Sequence, residues 1–327
     1  MSFLSLNEDE INCLYMLSKE IMACPSVEPE LFCRQAKKAS TLLPKRIQDV
    51  IQSFVQCGSD TGYLLVRTIP LSLLPDTPPN NQSMVGGTTI LGRIQSILLS
   101  FFGEMIAYEA EGYGRLFQDV VPNREMAYQQ TSMGSHTELE IHTEQAFSQW
   151  RPDVLSLACL RGDPSATTYV LPVKSVLKYV SDEEKEMLRQ PLWMTGVDLS
   201  FKLQDHEFIE GDIRGPMSIL VDNPENPDNP FFIFDQDLMT GTTDDSHSMI
   251  GKIVDIYYKH REQHVLQPGD IVFIDNRRAV HGRSPFFPKY DGTDRFLIRS
   301  FAMLKPHYER SKYTHLKNTR TVQSIYS

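Results

Sequence analysis

"IVFIDNRRAVHGRSPFFPKYDGTDRFLIRSFAML", residues 271–304, decides how the chain folds. Two apolar runs, 271–275 and 296–304, flank a connection rich in Pro, Gly and Asp. Runs of this kind between turn formers read as buried strands. His281 then falls at a strand end, with Arg295 and Arg299 further along. Four residues apart, the two arginines face the same way on a continuous strand.

Outward from this stretch, similar short runs recur at 62–70 (GYLLVRTIP), 154–160 (VLSLACL), 167–173 (TTYVLPV) and 231–237 (FFIFDQD). The first sixty residues instead read as helical. Asn7 with Glu10 forms a capping-box pattern ahead of Ile11, Leu14, Leu17 and Ile21. Pro44 opens a second helix with Ile47, Ile51, Phe54 and Val55 on one face and Gly58 as its stop. A further helix is predicted over 94–108. The fold class is therefore α+β, a β-sandwich or jelly-roll core with a helical N-terminal buttress. We expect one domain over 1–327: a helical part at 1–60, a core at about 61–305 and a tail at 306–327. The polar stretch 196–216, with Gly211 and Gly215, reads as a flap.

Composition narrows the function classes. The chain has 327 residues, 41% hydrophobic and 23% charged, with no apolar run of membrane-spanning length. A formal charge of -10 argues against nucleic acid as the main partner and leaves a small cationic substrate open. Five scattered cysteines and an N-terminus that turns acidic at once suggest reduced thiols in a cytoplasmic protein. Nothing in these residues speaks to oligomeric state.

The segment "SHTELEIHTEQ", 135–145, holds His-Thr-Glu twice, at 136–138 and 142–144. On a strand, either copy presents a histidine and a carboxylate on one face. Joined by a distant His281, either would complete the two-His-one-carboxylate triad of non-haem iron(II). The same donors also make a catalytic zinc site, the mark of a hydrolase. As solvated strand residues they fit a non-catalytic jelly-roll binding protein. Arg295 suits a carboxylate clamp or an ion pair with Asp291 or Asp294. Asp235 and Asp237, two apart, would repel each other on one strand face unless a cation lay between them; a solvated loop is the alternative.

Four segments, 132–153, 157–168, 234–237 and 273–299, resemble the clavaminate synthase-like iron(II)/2-oxoglutarate oxygenases, which include hydroxylases of free amino acids. The likeness runs over about residues 60–305. It implies a double-stranded β-helix, cupin-like core and selects the second tripeptide copy, "HTEQAF". The metal ligands implied are His142, Glu144 and His281, leaving His136 and Glu138 to hydrogen bonding or solvent. It further implies Arg295 and Thr168 for the distal carboxylate of 2-oxoglutarate, the neighbouring Thr167 leaving the register open by one. Arg299 is implied for the substrate α-carboxylate, Asp235 and Asp237 for a basic side chain, and Glu111 for the substrate amine. Glu144 occupies the place of the small residue found in halogenases, which favours hydroxylation. The expectation is hydroxylation of free L-lysine at C4, with L-arginine next, using Fe(II), 2-oxoglutarate and O2 and releasing succinate and CO2. Ascorbate is expected to support the reaction in vitro.

Overall fold

Near-continuous apolar runs, such as 154–160, suit strands covered on both faces, and the computed structural model shows that arrangement. It describes residues 2–68, 71, 74–198, 212–304 and 320–322. The larger sheet runs β1 (Phe3–Ser5), β2 (Tyr63–Arg67), β14 (Asp270–Asp275), β6 (Val154–Arg161), β16 (Phe296–Met303), β3 (Glu104–Tyr108) and β17 (Thr321–Val322), with β4 (Gln118–Val120) also paired to β16. The smaller sheet has the order β13 (Glu262–Val265), β7 (Thr167–Pro172), β15 (Ala279–Arg283) and β5 (Leu139–His142), all antiparallel.

Alternate residues of the central strands go to opposite layers. Leu155, Leu157, Val272, Ile274, Leu297 and Phe301 point inward and meet Val170 and Ala279 of the smaller sheet. Ala158, Leu160, Ile271, Phe273 and Ile298 point outward onto α1 (Glu8–Lys19), α2 (Pro29–Ser40), α3 (Lys45–Cys57) and α4 (Ile90–Phe102). Each such buried aliphatic or aromatic side chain contributes about 1.5–3 kcal/mol. The far face of the smaller sheet, including Ile141, Leu171 and Val280, packs on a third layer. That layer includes α5 (Val173–Leu177), α6 (Asp182–Leu188) and α7 (Asp244–His260). It also holds β8 (Trp193–Gly196), β9 (Ile213–Met217) and β12 (Met239–Gly241) as one small sheet, and β10 (Leu220–Val221) with β11 (Phe231–Phe232) as another. The core is a cupin-like β-sandwich with an N-terminal helical buttress.

The capping box forms as expected, Glu10 N–H donating to Asn7 Oδ1 (2.9 Å) and Asn7 N–H to Glu10 Oε2 (3.0 Å). Two expectations need correction. The helix predicted over 94–108 runs from Ile90 to Phe102, and residues 104–108 form β3 instead. The break is Gly103, where a Cβ would lie 2.2 Å from the Met303 carbonyl oxygen, so strand pairing with β16 overrides helical spacing. Within 231–237 only Phe231–Phe232 is a strand. The tail contributes a strand, β17, parallel to β3. Of the supposed flap, 199–211 lies outside the described residues and Ile213–Met217 is a strand. All five cysteines are free thiols. Among the described residues no helix is long and apolar enough to cross a membrane.

Candidate active site

The inner strands converge on a cavity lined by His142, Glu144, Thr168, Asp235, Asp237, His281, Arg295 and Arg299. The register of the smaller sheet makes the histidines meet: His281 of β15 lies directly opposite His142 of β5, ring centres 4.4 Å apart. Glu144 follows just past the end of β5, in a turn rather than on the expected strand face. Its backbone is clamped by Asn276, whose Oδ1 accepts from the Glu144 N–H (2.8 Å) while Nδ2 donates to the Glu144 carbonyl (3.1 Å). A donor atom from each of His142, Glu144 and His281 lies within 4.8 Å of the other two.

The electrostatics suit a metal. His142 Nδ1–H donates to the Glu140 carbonyl (2.9 Å), which orients the ring and leaves Nε2 as the ligating atom. Burial, with repulsion from His142, holds the His281 imidazole down to about 4, so it is neutral near pH 7. Burial pushes the Glu144 carboxyl up, but Arg299 and the two imidazoles outweigh it and hold the group down to about 2. Two imidazoles and one carboxylate make a donor set that fits ferrous iron.

The cavity is electrically divided. One set of lining groups is Arg295, buried with no ion-pair partner among the described residues, and the buried Thr168 hydroxyl, also unpartnered. Thr168 lines the cavity, and Thr167 is not among its lining residues. The other set is Asp235, Asp237, Asp198 and Glu140, acids that act on one another. Asp235 pairs with His142 through an isolated bridge, and its Oδ1 accepts from the Asp237 and Leu238 N–H groups (3.0 and 2.9 Å). This carboxylate-capped turn replaces the expected strand. Burial raises Asp235 to about 6, against the pull of His142. Burial and Asp198 raise Asp237 as well.

Arg299 ties the metal group to a second, more polar cavity lined by Glu111 and Gln118. Its Nη1 donates to Glu144 (2.9 Å), its Nε to Gln118 (3.0 Å), and its Nη2 to both Glu111 and Gln118. Four of the five N–H groups of the guanidinium are thus engaged. Glu111 does not line the main cavity and also accepts from Gln145 (2.9 Å); burial pushes its carboxyl up to about 7 despite Arg299.

A family model described as taurine catabolism dioxygenase TauD, TfdA family matches residues 95–301. The chain belongs to that family. This TauD/TfdA-family chain is 42% identical over 327 residues to the L-lysine 3-hydroxylase of Catenulispora acidiphila, covering 100% of itself and 90% of that relative. It is similar to the structure of asparagine oxygenase in complex with Fe(II), 2S,3S-3-hydroxyasparagine and succinate, with a TM-score of 0.86, 26% identity and 99% of each chain covered. It is also similar to the structure of the non-haem iron oxygenase OrfP with Fe and α-ketoglutaric acid, with a TM-score of 0.81, 25% identity, and 98% of this chain and 99% of that one covered. The TauD/TfdA-family protein is accordingly an iron(II)- and 2-oxoglutarate-dependent dioxygenase, and the zinc-hydrolase and binding-protein readings are set aside.

Sequence spacing misses two residues of this oxygenase's site. Asn276 acts on backbone 132 residues away and leaves no local pattern. Arg283 also lines the cavity; lying two residues after His281 on β15, it shares that face, so the i, i+2 rule points to it.

Proposed function

We propose that this single-domain oxygenase hydroxylates free L-lysine at C3. The observation that carries the reading is the 42% identity, over the full chain, to a protein named as an L-lysine 3-hydroxylase. The divided cavity supports it, because lysine presents a side-chain cation that acids such as Asp235 and Asp237 would attract. The same relative favours C3 over C4, the carbon expected from the sequence. The two differ by about 1 Å in placement, within what substrate positioning controls.

In this reading His142, Glu144 and His281 hold the iron, while Arg295 and Thr168 hold the distal carboxylate of 2-oxoglutarate. When bound, iron and 2-oxoglutarate supply the oxidation: one atom of O2 enters succinate as CO2 leaves, and the other enters the substrate C–H bond. Asp235 and Asp237 orient the ε-ammonium. Arg299 has one N–H left for the α-carboxylate, because Glu111, Glu144 and Gln118 take the others. Glu111 we assign to fixing Arg299 rather than to the substrate amine.

The test is incubation with iron(II), ascorbate, 2-oxoglutarate and a panel of lysine, ornithine, arginine and asparagine, followed by mass spectrometry. Lysine should gain one oxygen with one succinate formed, and NMR should place the hydroxyl on C3. Oxygen appearing on another amino acid but not on lysine would end the lysine assignment; a hydroxyl on C4 would end only the C3 assignment.

A further inference from the structure

The cationic set of groups lining the cavity holds more positive charge than Arg295 supplies. Arg283 lies directly opposite Thr168 in the register of β15 and β7, so its side chain and that hydroxyl share the inward face. It is 4% exposed, and among the described residues its buried Nε and Nη1 have no partner. Its one hydrogen bond among those residues runs from Nη2 to the Thr137 carbonyl, long at 3.4 Å. Among the described residues neither Arg283 nor Arg295 has a carboxylate at ion-pair distance, yet both border the Phe286 ring, at 4.9 and 5.6 Å from its centre. Both guanidiniums are buried, and like charges so placed repel each other. Two buried guanidiniums beside an unpartnered hydroxyl are costly unless an anion accepts from all three.

We propose that Arg283 is a second cationic contact for the distal carboxylate of 2-oxoglutarate. A carboxylate offers about four lone-pair directions. A bidentate Arg295 would take two of them, Thr168 a third and Arg283 the fourth. Arg283 then helps select a dicarboxylic 2-oxo acid over one that ends in a methyl group. The inference rests on the reading of Arg295 and Thr168 given above, and the experiment separates the two.

Calorimetry on the iron(II)-loaded protein without oxygen measures the Kd for 2-oxoglutarate and for 2-oxopentanoate, which has the same chain length but no distal carboxylate. Arg295→Gln should raise the Kd for 2-oxoglutarate on the order of 100-fold and Arg283→Gln about tenfold. Neither should move 2-oxopentanoate more than about twofold. If Arg295→Gln weakens 2-oxoglutarate and Arg283→Gln does not, Arg283 is a structural prop and the inference fails while the Arg295 reading stands. If neither variant weakens it, that reading falls as well. Equal weakening of both ligands by Arg283→Gln also overturns the inference, since the loss would not concern the carboxylate. Should Arg283→Gln fail to fold, Arg283→Met keeps the stem on Phe286 without a donor; the same rise is expected, and a wild-type Kd would refute the proposal.

Discussion

The two His-Thr-Glu copies have the same residues and different surroundings. In the first, His136 stands between the rings of Tyr128 and Phe287, at 4.9 and 5.1 Å, with Ser135 Oγ at 3.0 Å from Nδ1. Its Glu138 is matched by Arg261 (2.8 Å), whose guanidinium lies 3.5 Å over the Tyr169 ring. In the second, His142 faces His281 across the sheet and Glu144 turns inward under the Asn276 clamp. The tripeptide is therefore not the metal motif by itself. What makes a site is cross-strand register with β15 plus a side-chain clamp that redirects the chain after β5.

The largest test of that contrast is a matched pair of substitutions. His142→Ala should abolish stoichiometric iron binding and lower turnover on the order of a thousandfold or more. His136→Ala should leave both within about twofold, as expected for a residue away from the reacting atoms. Iron titration and steady-state rates on both variants check this, and an equally inactive His136→Ala would break the comparison. The clamp comes next. Asn276→Ala, which removes no ligand, should weaken iron about 10- to 100-fold, in the manner of outer-shell partners. Unchanged iron affinity would shift the credit from the clamp to register alone.

Much of this was legible in the sequence. Buried strands show as continuous apolar runs because both faces of β6, β14 and β16 are covered, and the order of His142, Glu144, His281 and Arg295 is that of the resembling family. Gly103 hid the helix-to-strand break, since the spacing of 94–108 suits a helix and only the approach of Met303 forbids it. Asp235 looked like a strand residue because its bonds to the Asp237 and Leu238 amides are local competition that composition does not reveal. Glu111 was placed near the substrate amine, but its carboxylate lies against Arg299, a residue 188 positions away. Side-chain pairing over such distances is decided by packing.

A smaller effect separates the carboxylates of the two copies. Glu138→Ala should cost about 1–3 kcal/mol, because it leaves Arg261 half-buried without its acid, and should leave iron affinity unchanged. A shift in the urea midpoint at constant slope is the measurement. Loss of iron along with stability would mean that the first copy also shapes the metal group.

The smallest effect comes from Asp270, matched like Glu138 by protein groups alone. Its carboxylate is fully buried and accepts from Arg67 (2.8 Å) and the Gln267 N–H (2.9 Å). Burial raises this group, but His264, Arg67 and Gln267 together hold it below the usual aspartate value. A folded value below the unfolded one gives stability that is complete above the unfolded pKa and is lost as pH falls through the folded one. Below about pH 4 the stability of the protein should therefore decline with a contribution of at most about 1.4 kcal/mol per pH unit from this group. Asp270→Asn should remove that contribution, seen as a shallower dependence of the urea midpoint on pH. Added iron should not restore it, since Asp270 does not line the metal cavity. An iron-dependent slope at Asp270 would mean that acids matched by protein and acids reserved for metal are not independent populations in this barrel.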